Sequence, residues 1–243
     1  MAMEIVSFKK IFLVVLVLCL SLTMTIQASA ASPQTIGQVV WVKNNLKAQL
    51  PNAEIRVLAR RSAIYEHDTL TTDPSSSAEI AFTDDSSLAL QESSSVTISQ
   101  YSHGQGKPPS SDAFVVDVIK GGFRTVTGLI SKNNPGGYKA NTPVVTVGVM
   151  GTVYSLYYNP NTYDADVQIL SGSVLLSNPF GEVRLTKCSG GSNCVDRLYA
   201  QVRGNNVPPQ TVRAQPAVFL SEPPLTSPPA TKQGEVVKSF CIQ

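Results

Sequence analysis

Alternation of apolar and polar residues with a period of two is the feature that most constrains the fold of this chain. Ser77–Phe82 and Ser87–Gln91 place apolar side chains at every second position, and a β-strand directs alternate side chains to opposite faces. Comparable stretches are Val39–Val42, Ser95–Ile98, Phe114–Ile119 and Val167–Leu170. Helical spacing is confined to the first 30 residues. The sequence therefore predicts an all-β chain whose strands bury one face.

Turn-forming residues separate the alternating stretches at short intervals. These segments are rich in Asp, Asn, Pro and Gly, which supply the backbone angles that turns need. They are Asp73–Ser76, Asp84–Ser86, Asn133–Gly137 and Asn159–Asn161. Short strands separated by such turns predict a sandwich or roll, or a short β-solenoid. The pattern leaves these architectures open, because each of them buries alternating strands in the same way.

Glycines mark the places where the chain is predicted to turn into or across the sheet. Gly37, Gly121 and Gly172 each lie directly before an apolar run, where glycine permits a positive φ or a close approach of two backbones. Gly148 and Gly151 lie three residues apart in a Val-rich run, which predicts a β-bulge or a tight corner. The unequal spacing of these glycines argues against a long solenoid of equal repeats.

The first 30 residues have the order of a secretory signal peptide. Lys9 and Lys10 precede the apolar run Ile11–Leu20, which leads to the small residues Ala28–Ala31. The apolar run has about half of the roughly 20 residues that span a bilayer, which disfavours a retained membrane anchor. We therefore expect residues 1–30 to be cleaved and the mature chain to be periplasmic or secreted.

Composition divides the rest of the chain near Gly204. About 210 residues remain after cleavage, which is enough for one all-β domain, and we place that domain at residues 31–203. Proline pairs then follow at Pro208-Pro209, Pro223-Pro224 and Pro228-Pro229. Such pairs cannot join the interior of a sheet. Residues 204–243 are therefore predicted to form a Pro-rich, largely disordered tail.

The charge of the chain argues against a nucleic-acid partner. The whole chain has a formal net charge of +2, and cleavage after Ala30 removes Lys9, Lys10 and Glu4, which leaves about +1. Nucleic-acid-binding domains carry a basic excess that releases counterions from phosphates. We expect no nucleic-acid binding.

Three cysteines remain after export, and two of them are close in sequence. Cys188 and Cys194 bracket a flexible Ser-Gly-Gly-Ser-Asn loop, so a local disulfide is expected in an oxidising compartment. Cys241 is left unpaired or competes for one of the other two, and the sequence leaves the connectivity open. A metal site is not expected, because no histidine lies near these cysteines.

No arrangement of residues typical of catalysis is present in the sequence. The only histidines, His67 and His103, lie in turn or loop segments, and no nucleophile-elbow, zinc-protease or phosphate-binding motif occurs. The acidic turn at Asp84–Asp85 lacks the ligand spacing of a calcium loop. We expect no enzymatic activity, no metal and no cofactor, and no loss of function on replacing either histidine by alanine.

Tyrosines around the Asn159–Asn161 turn are the candidate recognition residues. Tyr157, Tyr158 and Tyr163 surround this turn, and tyrosine on a hairpin can stack on a sugar or form a protein hot spot. Alternation along the strand places Tyr154 in the core, so a mixture of packing and exposed tyrosines is the competing interpretation.

Four segments resemble the FecR domain in order and spacing. They are Tyr65–Thr72, Ser77–Leu90, Lys120–Gly128 and Asn141–Tyr154. The last two are similar to the Gly-Gly-x-Arg and Thr-Pro-x-x-x-x-Gly-x-x-Gly-Thr segments of that family. The chain departs from the family pattern at Met150, where an arginine is usual.

The resemblance implies an envelope module that binds or senses through protein–protein contacts. Better-known members relay a receptor signal across the membrane to a cytoplasmic sigma factor. Because we expect neither a cytoplasmic anti-sigma domain nor a retained helix here, we expect a stand-alone, exported form. The alternative is a carbohydrate- or peptidoglycan-binding protein of the cell envelope, so the expected partner is an envelope protein or a cell-wall glycan.

Overall fold

The described part of the chain is almost entirely β-structure. The computed structural model describes residues 33–220 apart from Gln105, Lys107 and residues 189–194. Its strands are β1 (Thr35–Lys43), β2 (Leu46–Gln49), β3 (Arg56–Leu58), β4 (Ala63–Tyr65), β5 (Thr69–Thr72), β6 (Ser77–Phe82), β7 (Ser87–Leu90), β8 (Ser95–Ser102), β9 (Ala113–Val126), β10 (Tyr138–Asn141), β11 (Thr146–Asn159), β12 (Asp164–Asn178), β13 (Gly181–Thr186), β14 (Tyr199–Arg203) and β15 (Gln210–Val212). Within these residues, helix is limited to α1 (Leu129–Asn133) and single 3₁₀ turns at Pro109–Ser111 and Ala217–Phe219. For these residues, the prediction of an all-β fold is confirmed.

The strands form one mixed sheet that contains two series of neighbours. The first series runs β4-β1-β6-β7-β9-β11-β12-β14-β15, and the second runs β3-β2-β5-β8-β9-β10-β11-β12-β13. All pairs are antiparallel except β9 with β10. The long strands β9, β11 and β12 belong to both series and connect them.

The shared strands change partners at glycines. Before Gly121, β9 pairs with β8 and β10, whereas from Gly121 onward it pairs with β7 and β11. Gly121 and Gly172 have φ of 73° and 76°, and a Cβ at either would overlap Ser94 or the Gly151 carbonyl oxygen. The predicted positive φ is confirmed at both, although they lie inside long strands rather than before them. Gly37 has no positive φ and instead allows a close approach to β6.

The predicted irregularity in β11 is present where Gly151 interrupts the strand. Gly151 has φ 61°, and the register between β11 and β12 shifts between Met150 and Val153. A β-bulge inserts an unpaired residue and bends the strand. This bend lets the two halves of β11 pair with different strands, β10 before it and β9 after it.

The core unites side chains from both series of strands. Phe114 of β9 contacts Phe82 at a ring-centroid distance of 4.6 Å, Tyr138 at 4.8 Å and Tyr101 at 5.1 Å. All four rings are buried. Phe82 belongs to the first series, Tyr101 and Tyr138 belong to the second, and Phe114 lies in the part of β9 that pairs with β8 and β10, so this aromatic cluster packs the two series against each other.

The acidic turn between β6 and β7 is a buried polar junction. Asp84 accepts hydrogen bonds from the Ser86 amide at 3.2 Å, the Ser86 hydroxyl at 2.5 Å and the Tyr101 hydroxyl at 3.2 Å. Asp85 takes the left-handed conformation, with φ 64°. The turn therefore uses its two aspartates differently, one as a buried acceptor and one at the exposed corner.

Part of the predicted tail lies in the described residues and is folded. Between Gly204 and Leu220, β15 pairs with β14 and Phe219 is buried, which differs from the disorder expected from the prolines. Proline here occupies the loop before an edge strand, where it is tolerated. Residues 221–243 and the predicted signal peptide, residues 1–30, lie outside the described residues. Among the described residues, no helix has the length and hydropathy needed to cross a membrane.

Candidate functional site

The β11–β12 hairpin carries the tyrosines that the sequence singles out. Asn159 pairs with Asp164 at the end of the ladder, and the Asn161 amide donates to the Asn159 side-chain oxygen at 3.0 Å. Tyr163 completes the turn with φ 58°. Asn is preferred in such turns because its side chain replaces a backbone acceptor. The local sequence thus closes a rigid hairpin and fixes the position of Tyr163.

The three candidate tyrosines occupy different environments. Tyr158 is 1% exposed and belongs to the core with Tyr154, so its ring is not available to a partner. Tyr157 points to the opposite face and is partly buried, whereas Tyr163 is 43% exposed. Strand alternation explains this result, because Tyr154 and Tyr158 are four residues apart and share a face. Burial, with a smaller effect of Tyr163, raises the pKa of Tyr158.

Tyr157 lies beside an ion pair of the neighbouring strands. Tyr157 is directly opposite Asp166, and Asp166 pairs with Arg203 at 2.5 Å. The side chain of Arg203 is more exposed than that of Asp166. We call Tyr157, Tyr163, Asp166 and Arg203 the hairpin patch. Tyrosine and arginine are the residue types enriched in binding hot spots.

Glycine on the next strand provides the space for Tyr157. The Tyr157 ring lies over Gly122 of β9, where a Cβ would be 3.0 Å from Tyr157 Cδ2. An aromatic ring that covers a strand glycine shields the backbone and gains a fixed orientation. Packing therefore fixes the ring of Tyr157, whereas the turn fixes the backbone at Tyr163.

A row of residues that are polar or aromatic except for Ala89 crosses the first series on the same face as Tyr157, and Glu79, Ala89, Ser155 and Gln168 within it are buried. Successive strands place Trp41, Glu79, Ala89, Arg124, Ser155, Gln168 and Tyr199 opposite one another. The Trp41 indole donates to Glu79 at 2.7 Å. We call this set the polar row; it begins and ends with an aromatic side chain.

The buried tyrosines in the core hold their protons strongly. Burial raises the pKa of Tyr101, and the charge of nearby Asp84 adds to the shift. Burial likewise raises the pKa values of Tyr138 and Tyr154. The protonated Tyr101 hydroxyl serves as a structural hydrogen-bond donor, with a 3.2 Å bond to Asp84.

The two histidines are in separate surroundings. His67 lies exposed in the turn before β5 with φ 69°, and His103 Nδ1 is 2.9 Å from Asp112 Oδ2. Across residues 33–220, excluding the gaps noted above, no three His, Cys, Asp or Glu side chains are arranged to hold a metal ion.

Cys188 is disulfide-bonded, and its amide donates to Asp196 at 2.8 Å. Cys194 and Cys241 both lie outside the described residues, so pairing of Cys188 with Cys194 stays a prediction.

The edge strand β3 is a feature that the sequence-based predictions missed. Ile55 and Val57 are exposed, while Arg56 between them reaches the buried Asp68 at 2.5 Å. The sequence does contain a signal, because the residues alternate in direction. Ile55 and Val57 face one side, and Arg56 and Leu58 face the other. The stretch is too short to be distinguished from a loop by pattern alone.

Comparison with known proteins gives a family match and a distant likeness to solved structures. The family described as "FecR protein" matches residues 68–175. Two crystal structures of a candidate anti-sigma factor from Parabacteroides distasonis ATCC 8503 align at 12% sequence identity, with TM-scores of 0.45 and 0.44. Each alignment covers 59% of this chain and 58% of the other, which is less than two thirds of that protein's length. No curated protein matches the sequence.

Proposed function

Since the chain carries a FecR domain at residues 68–175, we propose that it is a non-enzymatic binding module of the cell envelope. Members of this family are generally non-catalytic. The module acts through protein–protein contacts, and residues 1–30 direct its export to the periplasm or the exterior. Intact-mass measurement of the protein recovered from the envelope or medium tests this export, since the mature chain is expected to begin at Ala31.

The hairpin patch is the proposed contact surface, and the exposure of Tyr163 on a rigid turn is the observation that carries the proposal. Tyr163 is 43% exposed, and Asp166 and Arg203, beside Tyr157 on the same part of the sheet, form an ion pair. A backbone that a turn has already fixed loses little entropy on binding. The patch therefore has the chemistry and the rigidity of a protein-binding hot spot.

The pairing pattern supports a sandwich or roll rather than a solenoid. A solenoid stacks successive coils through parallel pairs, whereas among the strands that the structure describes only β9 and β10 are parallel. The three shared strands join both series of neighbours, and the aromatic cluster packs one series against the other. In this architecture the hairpin patch projects from the end of two core strands, which gives it a firm base.

A crosslinking pull-down from fractionated envelope tests the proposal. The variant Tyr163→Asn removes the ring but retains a residue that tolerates the left-handed conformation. Phe180→Ala is the matched control, because Phe180 is also an exposed aromatic side chain in a turn. We expect one defined envelope protein with the wild type and the control, and its loss with Tyr163→Asn. Equal recovery with all three chains would contradict the assignment of the patch.

Binding of a cell-wall glycan is the second candidate function, and the polar row favours it. Trp41 and Tyr199 lie partly exposed at its two ends, and the buried Gln168 side chain, which accepts a hydrogen bond from Gln215 at 2.9 Å, lies directly opposite Tyr199. Aromatic faces with neighbouring amides suit the stacking and hydrogen bonding of sugars. Sedimentation with purified peptidoglycan, weakened by Tyr199→Ala but not by Tyr163→Asn, is the result expected from this alternative.

A further inference from the structure

The edge strand β3 and the residue before it expose apolar side chains that take no part in the core. Ile55 is 60% exposed and Val57 is 74% exposed, and they share a face because they are two residues apart. Leu58 points the other way and is buried. Val57 lies opposite Lys47 of β2. Ile55 and Val57 therefore lie on the solvent-facing side of the second series.

The opposite edge of the same series is protected in a way that β3 is not. On β13, charged Glu182 and Arg184 occupy the exposed positions. Charged residues at an edge hinder the pairing of another strand, because pairing would remove their water. Ile55 and Val57 supply no such protection, and among the described strands β3 pairs with β2 alone. An unprotected apolar edge opposite a protected one is open to pairing with a partner strand.

An ion pair holds β3 in a fixed position. The Arg56 guanidinium contacts both oxygens of Asp68 at 2.5 and 2.6 Å and lies 4.7 Å from the centre of the Tyr65 ring. It also donates to the Ala63 carbonyl oxygen at 3.2 Å. Short edge strands otherwise fray, so this anchoring preorganises the edge for an incoming strand.

Charge at the two ends of β3 specifies the partner. Arg60 and Arg61 follow the strand and are exposed, and no ion pair or side-chain hydrogen bond joins either to another described residue. Glu54 precedes the strand and is also exposed. The edge is thus apolar in the middle and basic at its C-terminal end, which complements an acidic segment.

From these observations we infer that β3 accepts an extended, acidic segment of a protein partner as an added antiparallel strand. The segment has apolar residues at alternate positions, which cover Ile55 and Val57, and acidic residues at its N-terminal end, which meet Arg60 and Arg61. Main-chain hydrogen bonds to the edge supply affinity, and the side chains supply specificity. The surface goes beyond the proposed hairpin contact, does not depend on it, and lies outside the matched residues 68–175.

Peptide binding to the full chain tests the inference. The probes are a fluorescent peptide with two aspartates followed by alternating valine and threonine, and a second peptide with lysines in place of the aspartates. Val57→Lys introduces a protecting charge at the edge, and the pair Arg60→Glu with Arg61→Asn removes the basic end; Asn suits the φ of 71° at Arg61. Ile119→Lys, at another exposed apolar position, is the control.

We expect saturable binding of the acidic peptide, measured by fluorescence anisotropy, and much weaker binding of the lysine peptide. Val57→Lys weakens binding of the acidic peptide about tenfold, although the new lysine adds a positive charge. The double arginine variant weakens this binding about three- to tenfold, and Ile119→Lys leaves it unchanged. Equal binding of both peptides, or no effect of Val57→Lys, would overturn the inference. A dimer in sedimentation that Val57→Lys dissolves, without peptide affinity, would assign the edge to a second copy instead. None of these outcomes bears on Tyr163.

Discussion

Asp68 joins three segments of the chain through one buried carboxylate. It is fully buried and accepts hydrogen bonds from Arg56 and from the Tyr65 amide, the latter at 2.8 Å. The turn that carries Asp68 belongs to the stretch similar to the FecR family, whereas Arg56 lies before it. A buried charge of this kind is costly to leave unpaired, so its partner matters for stability.

Replacing Asp68 by asparagine is expected to lower the free energy of unfolding by about 2 kcal/mol, because Arg56 loses its counter-charge in a partly buried position. Asp85→Asn is the control, since Asp85 is exposed and asparagine tolerates its positive φ. Denaturation by urea measures both variants. A loss as small for Asp68→Asn as for Asp85→Asn would show that the ion pair does not hold the edge.

The two tyrosines at the ends of the hairpin turn are expected to respond in opposite ways to substitution. Tyr158→Ala removes a core side chain and should cost about 3 kcal/mol of stability. Tyr163→Asn removes an exposed ring and should stay within about 0.5 kcal/mol of the wild type. Thermal and urea unfolding report both values. A large loss for Tyr163→Asn would mean that its ring serves packing and not recognition.

At the level of elements, the shared strands β9 and β12 each depend on a glycine at the corner where the strand changes partners. Gly121 and Gly172 have positive φ, and each touches a neighbouring segment so closely that a side chain cannot fit. Gly148 lies in β11 as well, but the nearest atom to a Cβ there is the Leu175 carbonyl oxygen at 3.8 Å. Gly121 and Gly172 are therefore required both for their left-handed backbone and for the absence of a side chain. Neither requirement applies to Gly148.

Gly121→Ala and Gly172→Ala are each expected to destabilise the domain by more than about 2 kcal/mol, from the left-handed backbone together with the overlap. Gly148→Ala should be tolerated within about 1 kcal/mol. Urea unfolding of the three variants tests this contrast, and equal effects at all three positions would contradict the assignment of the corners.

The sequence predicts the elements where alternation is long and turn chemistry is strong. Ser77–Phe82 and β6 coincide, and the acidic turn after it closes a hairpin as expected. Alternation could not show that β9 changes partners at Gly121, because partner choice depends on distant strands. It also missed β3, which has three residues, and β15, whose flanking prolines indicated disorder. Short edge strands leave too little pattern for their pairing to be deduced.

Across the whole molecule, buried tyrosine hydroxyls link stability to alkaline pH. The pKa values of Tyr101, Tyr138 and Tyr154 are raised above the ordinary value of 10.0, chiefly by burial. A raised pKa means that the folded state retains the proton after the unfolded state has lost it. The corresponding stability is fully present below pH 10 and is lost as pH rises beyond it toward the folded-state pKa.

Alkaline titration is expected to show this link directly. Absorbance near 295 nm should rise in a late, cooperative step that coincides with loss of the β-sheet circular dichroism signal, because the three buried hydroxyls ionise only on unfolding. In denaturant, all eight tyrosines should ionise in one broad step near pH 10. Complete ionisation of the native protein before any loss of β-structure would refute the burial of these rings.

The candidate site could be predicted only in part from the sequence. The tyrosines drew attention to the β11–β12 hairpin, whose role in binding stays a prediction, and Tyr158 proved to be a core residue because strand phase assigns it the same face as Tyr154. Arg203 and Asp166 are 37 residues apart, and their ion pair depends on the pairing of β12 with β14. Contacts of this kind arise from topology, which the local pattern does not encode.

Site-specific photo-crosslinking tests the proposed function most directly. A photoreactive amino acid is placed at Tyr163, with Phe180 as the matched position on another exposed turn, and the full chain is irradiated in intact cells that export it. A single crosslinked envelope protein, formed from position 163 and absent from position 180, is the predicted result. Crosslinks of equal pattern and yield from both positions, or none from position 163, would contradict a protein-binding role for the hairpin patch.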